Sequence, residues 1–270
     1  MPGRRWLGLV GLGLVALGAW PVVSSGVVLY DSLGFEPPRF IPGEVTGQDP
    51  LNGPWEKSGT NTSSALVQAL TVQAGAQALQ VTRQGTETGD ARWTVFKEVP
   101  NPLSVTVDWH MRVQQSTTTG FGPYAAVEVY DELGNTPLLA GSLGVDSRTG
   151  DVLFQEAGTG FLVETGTVVP FDQWNQFRMV LDYTNDRYSV FLNGTLLGTQ
   201  GFVDAGIDDF TDADIATLAA GGDPASLTAS GTAFFDNYSV QYEVPEPSGV
   251  LLALIPFGML GRATGRRRRA

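Results

Sequence analysis

The sequence predicts an all-β protein in which two antiparallel sheets pack face to face as a jelly-roll sandwich. Three observations predict it: apolar residues alternate with period two, turn signals separate the alternating segments, and glycine is abundant. The chain has 34 glycines, about twice the usual share. The body shows no long apolar repeat of 3.6 residues, which argues against long helices there.

The clearest predicted strand covers residues 103–113, where every second residue is apolar and most of those between are polar. Such alternation is typical of a strand with one buried face. Shorter segments of the same kind cover residues 91–99, 124–130 and 177–183. Asn193 and Gly194, flanked by apolar residues, predict a tight hairpin. We predict one short helix, at residues 209–219.

Charge and composition exclude several classes of function. All 28 acidic residues lie between Asp31 and Glu246, and the body has no basic stripe, so we expect no nucleic-acid binding. The chain has no cysteine, which excludes disulfides, cysteine-bound zinc and thiol catalysis. Its single histidine excludes a histidine-rich metal site.

The first 25 residues have the layout of a secretory signal peptide. Arginines at positions 4 and 5 precede an apolar run over residues 6–20, and small residues follow at 24–26. The sequence therefore predicts a signal peptide at 1–25 and a single folded domain at 26–243. The alternative is that the apolar run stays attached as a membrane anchor.

The last segment, residues 244–270, contains three motifs in order. Pro245, Glu246 and Pro247 come first, an apolar run over 249–261 follows, and the chain ends in basic residues. The basic cluster consists of Arg266, Arg267, Arg268 and Arg269. This order resembles the PEP-CTERM sorting signal, and arginines of this kind keep the C-terminus inside the cell.

The PEP-CTERM resemblance implies an exported protein of a Gram-negative-type bacterium. Its C-terminal helix would hold the protein transiently in the inner membrane until an exosortase cuts near the Pro-Glu-Pro motif. The cell surface or extracellular matrix is then the expected destination. The apolar run over 249–261 is shorter than a helix needs to cross the ~30 Å hydrocarbon core, which indicates a temporary anchor.

Short pieces spread over the body resemble the laminin-G/concanavalin A-like jelly roll. Trp174 opens a strand, and the next strand ends in Asn193 and Gly194. Residues 234–240 are similar to the closing strand of that fold, and residues 33–36, with 47–48 and Trp55 after them, to its opening segment. The superfamily includes lectins, carbohydrate-binding modules and glycoside hydrolases, so the resemblance implies a fold and leaves the activity open.

The same resemblance implies one structural calcium ion. Related jelly rolls often join their first and last strands through Ca²⁺, and the matching positions here are Glu36 and Asp236. Asp31 is a third candidate ligand. Carboxylate oxygens suit Ca²⁺, and the acidic body favours it. The alternative is that Asp236 hydrogen-bonds a neighbouring loop without a metal.

Four residues are candidates for binding a polysaccharide. His110 and Arg112 lie on the polar face of the strand at 103–113, and Glu128 and Tyr130 lie on the strand at 124–130. If the polar face carrying His110 lines a groove, Arg178 and Asp182 would join them. The alternative is that this face is ordinary solvated sheet surface.

No catalytic residue is assigned from the sequence. The stretch from Glu128 to Glu132 superficially resembles the Glu-x-Asp-x-Glu strand of a laminarinase-like family, but Tyr130 stands at its centre and residues 131–135 favour a hairpin turn. We therefore expect a non-catalytic surface or matrix protein, either carbohydrate-binding or structural. The alternatives are a glycoside hydrolase that uses Glu128 and a structural surface protein without a ligand.

Overall fold

The structure is a computed structural model that describes residues 26–59, 62–85, 89–134 and 136–243. The predicted signal peptide at 1–25 and the predicted sorting segment at 244–270 lie outside the described residues. Within the described ranges, no helix has the length and apolar character needed to cross a membrane.

Short strands account for most of the regular structure in the described residues. In chain order the strands are β1 (Val27–Asp31), β2 (Gly43–Glu44), β3 (Glu56–Ser58), β4 (Ser64–Gln68), β5 (Ala78–Arg83), β6 (Ala91–Thr94), β7 (Ser104–Val113), β8 (Tyr124–Asp131), β9 (Leu138–Asp146), β10 (Asp151–Gln155), β11 (Leu162–Val168), β12 (Asn175–Asp182), β13 (Arg187–Leu192), β14 (Thr195–Gly201), β15 (Asp212–Leu218) and β16 (Gly231–Glu243). A 3₁₀ turn at Leu33–Phe35 and a one-turn helix α1 at Pro224–Leu227 accompany them.

These strands form two antiparallel sheets. In the described part of the chain, nine strands form one sheet. Eight of them follow the order β14-β13-β12-β7-β16-β5-β4-β2, and the ninth, β1, pairs with β16. The other seven form the order β11-β10-β9-β8-β15-β6-β3. The sheets pack face to face, which confirms the predicted all-β sandwich.

The core lies between the two sheets, and β7 shows how the sequence builds it. Val105, Val107 and Trp109 are buried, whereas the polar residues between them are half-exposed on the outward face. The prediction of a strand at 103–113 is confirmed. Trp109 stacks on Phe177 of β12 with ring centroids 5.7 Å apart. Because the core takes one face of each sheet, every strand has its other face turned outward.

The predicted helix at 209–219 is wrong, because β15 occupies most of this segment. Residues Asp212 to Thr217 are all buried, on both faces of the strand, so the usual exposed-and-buried pattern of a strand is missing. The described helix α1 follows instead, after its N-cap Asp223, whose carboxylate accepts the amide of Ala225 at 2.9 Å.

The predicted hairpin at Asn193 and Gly194 is confirmed. It joins β13 to β14, and both residues have positive φ angles, 49° and 79°. Two consecutive positive φ angles are what a two-residue turn needs in order to match the twist of its strands.

Candidate active site

The outward face of the seven-stranded sheet brings charged and aromatic side chains together. Strand β8 turns Glu128 and Tyr130 to this face because the alternate residues, such as Val127 and Val129, face the core. Asp214 of β15 is paired directly with Glu128, and Asp212 with Tyr130. Strand β6, on the other side of β15, adds Arg92.

A cavity of about 270 Å³ lies on this face. Its lining includes Asp90, Arg92, Phe121, Glu128, Tyr130 and Gln155. We call it the carboxylate cavity. Sheet strands form its floor, and the loops around Gly160 and Ala220 contribute to its walls.

Glu128 is the most buried charged group in this cavity, with 1% of its surface exposed. Arg92 Nε donates to Glu128 Oε2 at 2.6 Å, and the Tyr130 hydroxyl donates to the same oxygen at 3.1 Å. The Arg92 guanidinium also lies 5.9 Å from the centre of the Tyr130 ring. Both of these donors contact Oε2, and no hydrogen bond to Oε1 occurs among the described residues.

Asp90 supplies a second carboxylate, just before β6. Its Oδ1 accepts the amide of Ala219 at 3.1 Å, and its Oδ2 lies 3.9 Å from Arg92 Nη2. Asp90 is more exposed than Glu128. One guanidinium therefore contacts both a buried and a more exposed carboxyl group in the same cavity.

Burial raises the pKa of Glu128 above its ordinary value. The ion pair with Arg92 and the hydrogen bonds from Arg92 and Tyr130 offset only part of this effect, and the negative charge of Asp90 adds to it. Glu128 therefore keeps its proton to higher pH than a surface glutamate does. A neutral carboxylic acid beside an ionised carboxylate can divide the work of an acid and a base.

Asp212 and Asp214 form a buried acidic pair next to the carboxylate cavity. They are 2% and 3% exposed. Burial raises the pKa of Asp212 to about 6. Burial raises the pKa of Asp214 well above its ordinary value, and the charge of Asp212 raises it further. Asp214 therefore keeps its proton to higher pH than a surface aspartate does.

A second cavity, of about 580 Å³, adjoins the first on the same face. We call it the aromatic cavity. Its lining includes Phe121, Asp146, Asp151, Leu153, Phe161 and Glu164. The two cavities share Phe121, Gly160, Leu162 and Ala220, so together they form one groove.

The four predicted ligand residues do not form one site. His110 and Arg112 lie on the outward face of the nine-stranded sheet, whereas Glu128 and Tyr130 lie on the outward face of the other sheet. Strands β7 and β8 both turn their polar residues away from the shared core, so these two pairs are on opposite sides of the sandwich. Arg178 and Asp182 lie on the same side as His110.

The side that carries His110 is an ion-paired sheet surface. Arg178 forms two hydrogen bonds to Asp108, at 2.7 and 3.1 Å, and Arg112 donates to Asp172 at 2.9 Å. These arginines already contact carboxylates of their own sheet and its loops. Burial lowers the pKa of His110. The arrangement fits the alternative interpretation of this face as ordinary surface.

The predicted calcium ligands accept hydrogen bonds from backbone amides. Asp236 Oδ2 accepts the amides of Gln73 and Ala74 at 2.9 and 3.2 Å, and Glu36 Oε1 accepts those of Ala76 and Gln77 at 2.6 and 3.0 Å. Asp31 Oδ1 accepts the amide of Leu33 at 2.7 Å.

Amide donors around carboxylates do not fit a calcium site, which needs converging oxygens. No group of three or more acidic or histidine side chains suited to a metal occurs among the described residues. Calcium at Asp31, Glu36 and Asp236 stays a prediction from the resemblance. The observed role of Asp236 is the alternative one: it fixes the loop at residues 73–77, as Glu36 does.

Asp236→Asn is expected to lower the free energy of unfolding by about 1–3 kcal/mol. The aspartate is fully buried and accepts three backbone amides, and an asparagine amide would place a donor against donors. Urea unfolding checks this, with Asp208→Asn as the control, because Asp208 is exposed and its side chain has no hydrogen bond within the described residues. Equal stability of the two variants would contradict the proposed role of Asp236.

Sequence reasoning missed Asp90, Arg92, Phe121 and Phe161. The segment at 91–99 was predicted as a strand, yet Arg92 was not singled out. Its one signal is that Arg92 is a basic residue within a strand of a strongly acidic body. The two phenylalanines lie in glycine-rich loops, where the sequence pattern does not distinguish a ligand contact from a core contact.

Of three kinds of comparison, only the one with solved structures finds proteins similar to this chain. No family model matches it, and no curated protein matches its sequence. It is similar to the cellulose induced protein Cip1, at 17% identity over 69% of this chain and 90% of that chain, with a TM-score of 0.52.

Two lyases show weaker likeness. One is an endo-β-1,4-glucuronan lyase from the fungus Trichoderma reesei, at 13% identity over 77% of this chain and 96% of that chain, with a TM-score of 0.47. The other is an alginate lyase of polysaccharide lyase family 7, at 14% identity over 70% and 86%, with a TM-score of 0.46. Likeness at these identities shows only the fold, which is a β-sandwich of the jelly-roll type.

The expectation of a non-catalytic protein is corrected by these findings. The solved structures that share the sandwich include a sialidase and several alginate or glucuronan lyases. The structure buries Glu128, and two side-chain donors contact one of its carboxyl oxygens. Because these structures share only the fold with this chain, its chemistry is inferred from the residues of the groove.

Proposed function

We propose that the protein is a glycoside hydrolase of the concanavalin A-like superfamily, with Glu128 and Asp90 as its two carboxyl groups. The observation that carries the proposal is that both groups line one cavity and contact the same arginine. Glycoside hydrolysis ordinarily uses two carboxyl groups, one as an acid and one as a base or nucleophile.

Glu128 is the acid in this scheme. Arg92 and Tyr130 donate to Oε2, so the proton of the neutral carboxyl group is held on Oε1. This proton passes to the glycosidic oxygen as the bond from that oxygen to the anomeric carbon breaks. Arg92 and Tyr130 are positioning residues, because they fix the orientation of the Glu128 carboxyl group.

Asp90 is the base. Its Oδ1 is held by the amide of Ala219, and Asp90 accepts a proton from the water that attacks the anomeric carbon. The products are a new reducing end and a free hydroxyl group. Glu128 ends ionised and Asp90 ends protonated, and exchange of protons with solvent restores both.

The charges in the carboxylate cavity favour hydrolysis of a glycan without carboxylate groups. Asp90 and Glu128 face a single cation there among the described residues, and both already contact it. A uronate carboxylate would therefore find no unpaired cation among the described residues of this cavity. Elimination from a uronate also needs a base, and burial raises the pKa of Tyr130, so its hydroxyl is seldom ionised to act as one.

The proposal includes where the enzyme works. The resemblance at residues 1–25 and 244–270 supports export, a transient inner-membrane anchor and processing by an exosortase, followed by residence at the cell surface or in the extracellular matrix. Polysaccharide of that matrix would then be the substrate. This part is supported by the sequence alone.

Asp90→Ala is expected to lower the release of reducing ends by at least about 10²-fold, because the attacking water loses its base. A panel of β-glucan, xylan, mannan and amino-sugar polymers identifies the substrate for the assay. Sodium azide should restore cleavage of an activated aryl glycoside by this variant, since azide attacks without a base and yields a glycosyl azide. Full activity in Asp90→Ala, or a loss that azide does not relieve, would contradict the role of Asp90.

A further inference from the structure

We propose that the aromatic cavity binds amino-sugar units, so that the substrate class is a glycan with free amino groups. The inference rests on the proposed function, because the occupant is the same glycan chain whose bond is cleaved at Glu128. It adds the chemical identity of that chain.

Continuity of the groove identifies the occupant. The two cavities share Phe121, Gly160 and Leu162, so a chain with its scissile bond at Glu128 extends directly into the aromatic cavity. The volume of about 580 Å³ lies in the range of roughly 300–1,000 Å³ that is common for ligand pockets.

The apolar walls suit the faces of sugar rings. Phe161 is 72% exposed at the rim, and Leu162 is exposed beside it. Leu153 and Phe121 complete the apolar lining. A contiguous apolar patch of this kind at a concave surface is typical of a ligand-binding groove. Aromatic rings of this kind pack against the C–H faces of pyranose rings.

The charge of the aromatic cavity selects among sugars. Its charged lining residues, among those described, are Asp146, Asp151 and Glu164, and none of the three forms an ion pair there. Asp146 already accepts the amides of Gly122 and Arg148. Asp151 and Glu164 are therefore the carboxylates open to a ligand.

These two carboxylates lie on one side of the cavity. Glu164 of β11 is paired with Leu153 of β10, and Asp151 is the next residue of β10 on the same face. No described residue donates to either carboxylate group. A protonated amine on the sugar would supply both the missing donor and the missing positive charge. A uronate would be repelled, and a neutral sugar would leave both charges unpaired.

Calorimetric titration of the full chain carrying Glu128→Gln tests the proposal without turnover of the ligand. The probes are hexamers of β-1,4-linked glucosamine, the same hexamers fully N-acetylated, and a hexamer of mannuronate, all at a pH where the amines are protonated. We expect the free-amine hexamer to bind at least about tenfold more tightly than the acetylated one. The mannuronate hexamer should bind weakest.

Three further variants in the same background separate charge from shape. Asp151→Asn combined with Glu164→Gln should remove the tenfold preference for the free-amine hexamer. Phe161→Ala should weaken the binding of both glucosamine hexamers. Asp208→Asn should change neither the preference nor the affinities. Equal affinity for the free-amine and acetylated hexamers, or a preference that survives the double variant, overturns the proposal. Cleavage of a neutral glycan by the wild-type protein without amine preference overturns this inference alone. Amine-dependent binding without any cleavage overturns the hydrolase instead.

Discussion

Glu128→Gln is expected to lower the rate of glycan cleavage by about 10²–10⁴-fold, the usual contribution of a general acid. The glutamine keeps the shape of the side chain and an oxygen for Arg92 and Tyr130, but it has no proton to donate. The loss should appear in kcat, with KM little changed. Steady-state rates of reducing-end release measure both.

An activated aryl glycoside separates this role from a structural one. Its leaving group departs without protonation, so Glu128→Gln should retain far more activity on it than on the natural glycan. Because burial raises the pKa of Glu128, the alkaline limb of the wild-type profile should lie above the ordinary glutamate pKa of 4.5, and it should vanish for the variant on the activated substrate. Equal losses on both substrates would contradict an acid role.

Asp212→Asn is expected to stabilise the fold at neutral and alkaline pH by about 2–3 kcal/mol relative to the wild type. The folded-state pKa of Asp212 is about 6, against 3.8 for an ordinary aspartate. The folded state therefore binds this proton more tightly than the unfolded chain does. The stability from the protonated form is complete below about pH 4 and is lost as the pH rises through 6.

Unfolding in urea at a series of pH values checks this prediction. The difference between Asp212→Asn and the wild type should be small near pH 4 and should grow up to about pH 8. The asparagine oxygen can still accept the Thr211 hydroxyl that Asp212 accepts at 2.9 Å. Asp208→Asn is the matched control and should show a flat difference, because Asp208 is exposed. If the difference in the free energy of unfolding between Asp212→Asn and the wild type did not change with pH, burial would not raise the pKa of Asp212.

The sequence predicted the parts of the fold in which one face of a strand is exposed. Strand β7 alternates because its outward side meets solvent and ion-paired side chains, and the prediction at 103–113 is confirmed. Strand β15 was taken for a helix because residues on both of its faces are buried, so it lacks the usual alternation of exposed and buried positions. A strand that is buried on both faces is therefore hard to distinguish from a helix by its sequence pattern.

The candidate site was predictable only in part, for a related reason. Glu128 and Tyr130 were found because both lie on one predictable strand, but Asp90 and Arg92 reach them only through β15, which lies more than a hundred residues further along the chain. Pairing between such distant strands leaves no local signal. Period two also shows that His110 faces outward, but it does not show which sheet carries that face.

Cleavage of the natural glycan in water enriched in ¹⁸O tests the central claim most directly. Hydrolysis in the groove adds one water across the bond, so mass spectrometry should find ¹⁸O at the new reducing end and no product with the ultraviolet absorbance of an unsaturated sugar. Labelled product should form about 10²–10⁴-fold more slowly in Glu128→Gln. Unlabelled, unsaturated products would instead show that the groove eliminates and does not hydrolyse, and would contradict the roles given to Glu128 and Asp90.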